Sequence, residues 1–158
     1  MNNKLKDSNL KIVIMDIDKE EKKVRFDSLK IGDLFYIYEV NKPKRCAYIK
    51  TSKSTGVCIN GQHCGFMSCF SNPYMVMYKR RIIGLDTTQQ LSNFYEENGI
   101  PMESINVGDI FVTKGAGVCV CFQGMWEKEV VSLTLGCLVY NKVIESPVLL
   151  WREENGDF

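Results

Sequence analysis

Two stretches of the chain are written on one pattern. Phe26-Asp-Ser-Leu-Lys-Ile-Gly-Asp-Leu-Phe35 returns as Met102-Glu-Ser-Ile-Asn-Val-Gly-Asp-Ile-Phe111. In both, an apolar residue and an acid precede Ser, apolar and polar residues then alternate up to Gly-Asp, and an apolar residue and Phe follow. Glycine takes positive φ at no steric cost and Asp can bond the amides of its own turn, so Gly32-Asp33 and Gly108-Asp109 mark corners. Leu34-Phe35 and Ile110-Phe111 then start strands. The chain is a tandem repeat, and each corner reads as the opening of a small β-barrel. Further matches span the unit: Val57-Cys58-Ile59 with Val131-Ser132-Leu133, Phe66 with Tyr140, Pro73 with Pro147, and Tyr78-Lys79 with Trp151-Arg152.

Short runs of strand-forming residues separated by turn residues fill both units. The first predicts strands at Leu34 to Val40, Arg45 to Lys50, Gly56 to Asn60, Gly65 to Cys69 and Tyr74 to Arg80. The second predicts Ile110 to Lys114, Gly117 to Gln123, Lys128 to Thr134, Cys137 to Val143 and Pro147 to Arg152. Between the units the period changes. Leu91, Phe94 and Tyr95 fall at i, i+3 and i+4 in Asp86 to Gly99, which predicts one short helix closed by Gly99.

The expected fold is therefore mainly β, with two tandem small SH3-like β-barrels joined by one short α-helix. Residues 1–23 hold a strand at Lys11 to Ile17 that adds to a barrel edge, followed by a charged turn. The first barrel is 24–81, the linker helix 82–98, the second barrel 99–153, and 154–158 an acidic tail. Each barrel alone would be marginal, because small domains bury a limited fraction of their surface.

The chain has 158 residues, 45% hydrophobic and 25% charged, and no apolar run approaches the roughly 20 residues of a membrane helix. The first residues lack an apolar export signal, which leads to an expectation of a cytoplasmic protein. Seven cysteines, mostly inside apolar strands, read as reduced thiols rather than disulfides. The net charge of +1 hides an asymmetry: residues 24–81 carry ten Lys/Arg against three acids, and 99–153 carry four against six.

Few residues suggest chemistry. Cys58, His63, Cys64 and Cys69 lack the spacing of a zinc site, so no metal is expected. His63 and Cys64 are adjacent, and neighbouring side chains rarely converge as base and nucleophile, so no catalytic residue and no cofactor is assigned. The basic set is more informative: Lys42, Lys44, Arg45, Lys50, Lys53, Lys79, Arg80 and Arg81, interleaved with Tyr36, Tyr38 and Tyr48. Cations attract phosphates or acidic protein surfaces, and exposed aromatics stack on bases. The second candidate is Phe122-Gln-Gly-Met-Trp-Glu127, where Gly124 predicts a turn with Met125 and Trp126 at a hairpin tip. Both residue types are favoured at protein interfaces.

The Ser-apolar-x-apolar-Gly-Asp-apolar-Phe corner, followed by short strands, resembles small uncharacterised proteins of tailed bacteriophages and related mobile elements. Val107-Gly-Asp-Ile110 is also similar to the opening of SH3-like modules of the Tudor and KOW type. The phage resemblance implies an accessory protein that acts by binding, such as an inhibitor or sponge directed at a host or defence-system protein. The basic first barrel is then expected to dock an acidic surface on that partner. Nucleic acid, or a small anionic ligand such as a signalling nucleotide, is the alternative partner.

Overall fold

The computed structural model describes residues 11–16, 18–37, 45–71, 73–86 and 94–153. In chain order the strands are β1 (Lys11–Asp16), β2 (Lys22–Arg25), β3 (Leu34–Ile37), β4 (Cys46–Lys50), β5 (Thr55–Cys58), β6 (Met67–Cys69), β7 (Met75–Tyr78) and β8 (Arg81–Asp86). A short helix α1 (Phe94–Asn98) precedes β9 (Ile110–Thr113), β10 (Gly117–Gln123), β11 (Lys128–Ser132), β12 (Cys137–Val139) and β13 (Val148–Trp151). All ten strands predicted for the two units are present, several of them shorter. Of the predicted linker helix, the last turn is α1, residues 87–93 lie outside the described residues, and Asp86 ends a strand.

The strands form a six-stranded sheet in the order β2-β7-β3-β4-β5-β6 and a five-stranded sheet in the order β12-β11-β10-β9-β13. Setting β2 aside, the second order repeats the first strand for strand. The corners share their turn hydrogen bonds. Asp33 Oδ2 accepts the Lys30 amide at 2.8 Å, and Asp109 Oδ2 accepts the Asn106 amide at 2.7 Å. Gly32, at φ 95°, donates its amide to Lys50 O, and Gly108, at φ 90°, donates to Cys121 O, both at 2.7 Å. A 3-10 turn precedes each corner, at Phe26–Ser28 and Met102–Ser104.

Two details of the predicted repeat alignment change. Phe35 faces Tyr78 as Phe111 faces Leu149, so Leu149, not Trp151, is the counterpart of Tyr78. Ile100 donates its amide to Pro147 O at 2.9 Å where Val24 pairs with Val76, so Pro147 takes the place of Val76 rather than Pro73.

The two predicted barrels are instead two open sheets that share a core. Strand alternation sends successive side chains to opposite faces. Leu34, Tyr36, Ala47, Ile49, Val57 and Ile59 from the first sheet join Ile110, Val120, Phe122, Val131 and Leu150 from the second in one buried cluster. The intervening residues build a separate core on each outer side. In the first unit Phe35, Tyr48 and Cys58 meet Phe26, Leu29, Phe70 and Val76. In the second, Phe111, Cys119, Cys121, Val130 and Leu149 meet Ile100, Ile105 and Ile144. A sheet with apolar residues on both faces must be covered on both, and here the second unit supplies one cover.

The predicted N-terminal strand does not add to a barrel edge. β1 pairs with β8 as a separate antiparallel ribbon, Lys11 opposite Asp86 and Asp16 opposite Arg81. Ile82-Ile83-Gly84-Leu85, read from sequence as the start of the linker, is thus a strand. No helix among the described residues is long and apolar enough to cross a membrane.

Candidate functional site

Among the described residues, the β10–β11 hairpin carries the most exposed large apolar side chains. Gln123 pairs with Lys128, and the Gly124 amide donates to Glu127 O at 2.9 Å, closing a loop over 124–127. At its tip Trp126 is 90% exposed and Met125 85% exposed. The hairpin stem is fixed on both faces: Phe122 and Val131 enter the shared core, Cys121 and Val130 the outer one. The expected tip at Met125 and Trp126 is therefore formed, and Trp126 does not fold back over its own sheet.

The hairpin has one cation, and it is turned inward. Lys128 Nζ donates to Met102 O at 2.9 Å and to Ile105 O at 2.6 Å, closing the 3-10 turn of the second corner. Glu127 and Glu129 beside it are exposed.

The predicted basic and aromatic face fares differently. Lys50 is only 4% exposed; its Nζ donates to Phe26 O at 3.0 Å and Leu29 O at 2.8 Å, 4.4 Å from the centre of the Phe26 ring. Burial pulls its pKa down, partly offset by Asp27 and Asp33. Lys50 and Lys128 sit on non-equivalent strands yet close equivalent pairs of carbonyls, so Lys50 is a corner clamp and not a surface contact. Tyr48, at 7% exposure, stacks on Phe35 in the first outer core, and Tyr36 is buried in the shared core. Neither presents a stacking platform, because alternation in a doubly covered sheet buries both.

Arg45 is half-buried, ion-paired with Glu21, its guanidinium 3.9 Å from the centre of the Tyr36 ring. Lys53 and Arg80 are exposed, and Lys79 is half-buried. Arg81 lies in β8 opposite Asp16. Lys42, Lys44 and Tyr38 lie outside the described residues.

The loop holding the only histidine is a strap between the units. The connection from β5 to β6 spans 59–66, whereas its counterpart from β11 to β12 spans 133–136, so the first unit has extra chain here. Asn60 Oδ1 accepts the Ala47 amide at 2.8 Å and anchors one end. The Gly61 amide donates to the Glu153 carboxylate of the second unit at 3.0 Å. At the other end the Gln123 amide donates to Gly65 O at 2.7 Å, tying the strap to the base of the Trp126 hairpin. A Cβ on Gly65 would stand 2.5 Å from Val107, so the bare backbone permits this approach.

Burial raises the thiols of this region and of β10. Cys58 is pushed up to about 11, and Cys64, Cys119 and Cys121 to about 12. For Cys64, the neighbouring Glu153 carboxylate adds to the effect. These groups are protonated thiols at neutral pH, whereas a nucleophilic cysteine must be thiolate. Among the described residues no three of His, Cys, Asp and Glu converge as a metal-binding group. Among the described residues, a cleft of about 200 Å³ between the sheets is lined by Gly32, Leu34, Ile49, Ile110, Val118, Leu133, Thr134 and Leu150.

Comparison of the chain with family models, with curated proteins and with solved structures found no match.

Proposed function

We propose that the chain is a non-catalytic interaction protein whose contact element is the β10–β11 hairpin, with Trp126 as anchor and Met125 beside it. The observation that carries this reading is a 90% exposed tryptophan on a stem held in two cores. Exposing such a side chain forgoes roughly 1.5–3 kcal/mol of burial, and Trp is prominent among residues that dominate binding energy. The resemblance to phage proteins makes a host or defence-system protein the partner class of this reading. The strand order common to both units supports reading each as a small SH3-like unit fused to its twin through one face.

The basic first unit becomes the lesser surface, because Lys50 and Tyr48 serve the interior. Affinity capture from a bacterial lysate after nuclease treatment tests the proposal, with wild type beside Trp126→Ala and a Lys53→Ala, Arg80→Ala variant. Capture of a discrete protein by wild type and by the Lys53, Arg80 variant, but not by Trp126→Ala, is expected. Retention by Trp126→Ala, or loss of all captured material to nuclease, would overturn it.

A further inference from the structure

The chemistry of the partner's socket follows from what surrounds Trp126. Within the hairpin loop and its first paired residues, the acids Glu127 and Glu129 are exposed. The single cation there, Lys128, is withdrawn by its bonds to Met102 O and Ile105 O. Glu103, in the 3-10 turn that receives this lysine, is also exposed. Glu129 leans towards the loop, since a Cβ on Gly124 would meet its Oε2. The tip is an apolar prong with an acidic collar, although the net charge of the whole chain is +1.

We infer that the hairpin docks into an apolar pocket rimmed by Lys or Arg on a partner protein. This rests on the reading of Trp126 as an anchor, and it reverses the sign expected from the basic first unit. A socket with acidic walls would set like charges against Glu127 and Glu129 as the collar loses water, and is therefore disfavoured. A basic rim instead steers encounter and pairs the collar, while the apolar floor takes the indole and the Met125 thioether.

The test uses a yeast-displayed library of random dodecapeptides, selected on the full-length protein and counter-selected on Trp126→Ala. Enriched peptides are expected to combine aromatic or aliphatic residues with a net positive charge relative to the input library. Their binding should weaken about three- to tenfold on Glu127→Lys, Glu129→Lys and fall at high salt. Enriched peptides that are neutral or acidic, and that bind the charge-reversed variant equally well, would overturn the basic rim but leave the anchor standing. No enrichment over Trp126→Ala would overturn the anchor reading, and the rim with it.

Discussion

The sulfur of Cys64, in the first unit, lies directly against the bare Cα of Gly108, in the corner of the second, so that a Cβ there would overlap Sγ. With Gln123 N–H to Gly65 O and Gly61 N–H to Glu153, this contact makes the strap a clamp between repeats. The loop that carries histidine and cysteine side by side thus serves docking, and it braces the base of the Trp126 hairpin.

Gly32 and Gly108 have nearly the same φ, but nothing lies within 4 Å of a Cβ on Gly32. Gly32→Ala should therefore cost only the left-handed backbone term, about 1–2 kcal/mol. Gly108→Ala should cost about 1–3 kcal/mol more through overlap with Cys64. Cys64→Ala in the Gly108→Ala background should recover part of that difference. Urea denaturation of the four proteins checks it, and equal losses for the two alanines would refute the close approach.

Lys50→Met removes both donors from the Phe26 and Leu29 carbonyls in a buried corner, and is expected to destabilise by about 2–4 kcal/mol. Lys128→Met strips the equivalent carbonyls of the second corner, but Lys128 is only half-buried and water can replace it. A smaller loss, about 1–2 kcal/mol, is expected there. Thermal unfolding of the two variants ranks them.

Alkaline pH should weaken the fold. Burial lifts Cys58 to about 11 and Cys64, Cys119 and Cys121 to about 12, from an ordinary value of 9.0. A group whose folded pKa is raised contributes fully below its unfolded pKa and is lost as pH climbs through the folded one. Stability should therefore fall between about pH 9 and 12, by up to about 1.4 kcal/mol per pH unit for each thiol. Lys50, whose pKa is lowered, acts in the opposite direction as pH rises towards 10.5. Cys119→Ala should flatten the decline, as read by denaturation at pH 8 and pH 10.

The repeat, its corners and the ten strands were legible in the sequence because Gly-Asp corners and strand alternation are local signals. The shared core was less so, yet it left a trace. Leu34-Phe35-Tyr36-Ile37 is apolar at every position, the mark of a strand covered on both faces, not of a barrel wall with one wet side. Tyr36 and Tyr48 looked like a stacking surface because tyrosine serves both roles, and only the sheet pairing decides between them. The lysine clamps were illegible, since Lys50 and Lys128 occupy different strands and meet equivalent carbonyls only after folding. The Trp126 tip is legible through its turn glycine and the polar residues beside it. The β1–β8 ribbon leaves little sequence signal, because β8 follows a strand with hardly a break and its Gly84 weakens the pattern.

Native-state hydrogen exchange at two equivalent amides tests the shared core most directly. Lys50 N–H, bonded to Asp33 O at 2.9 Å, and Cys121 N–H, bonded to Asp109 O at 3.0 Å, hold the same place in the two units. If the units are one cooperative body, both amides should exchange through the same global opening, with equal free energies and equal denaturant dependence. Two distinct free energies, each with a shallower denaturant dependence than global unfolding, would mean two independently folding barrels and would contradict the account.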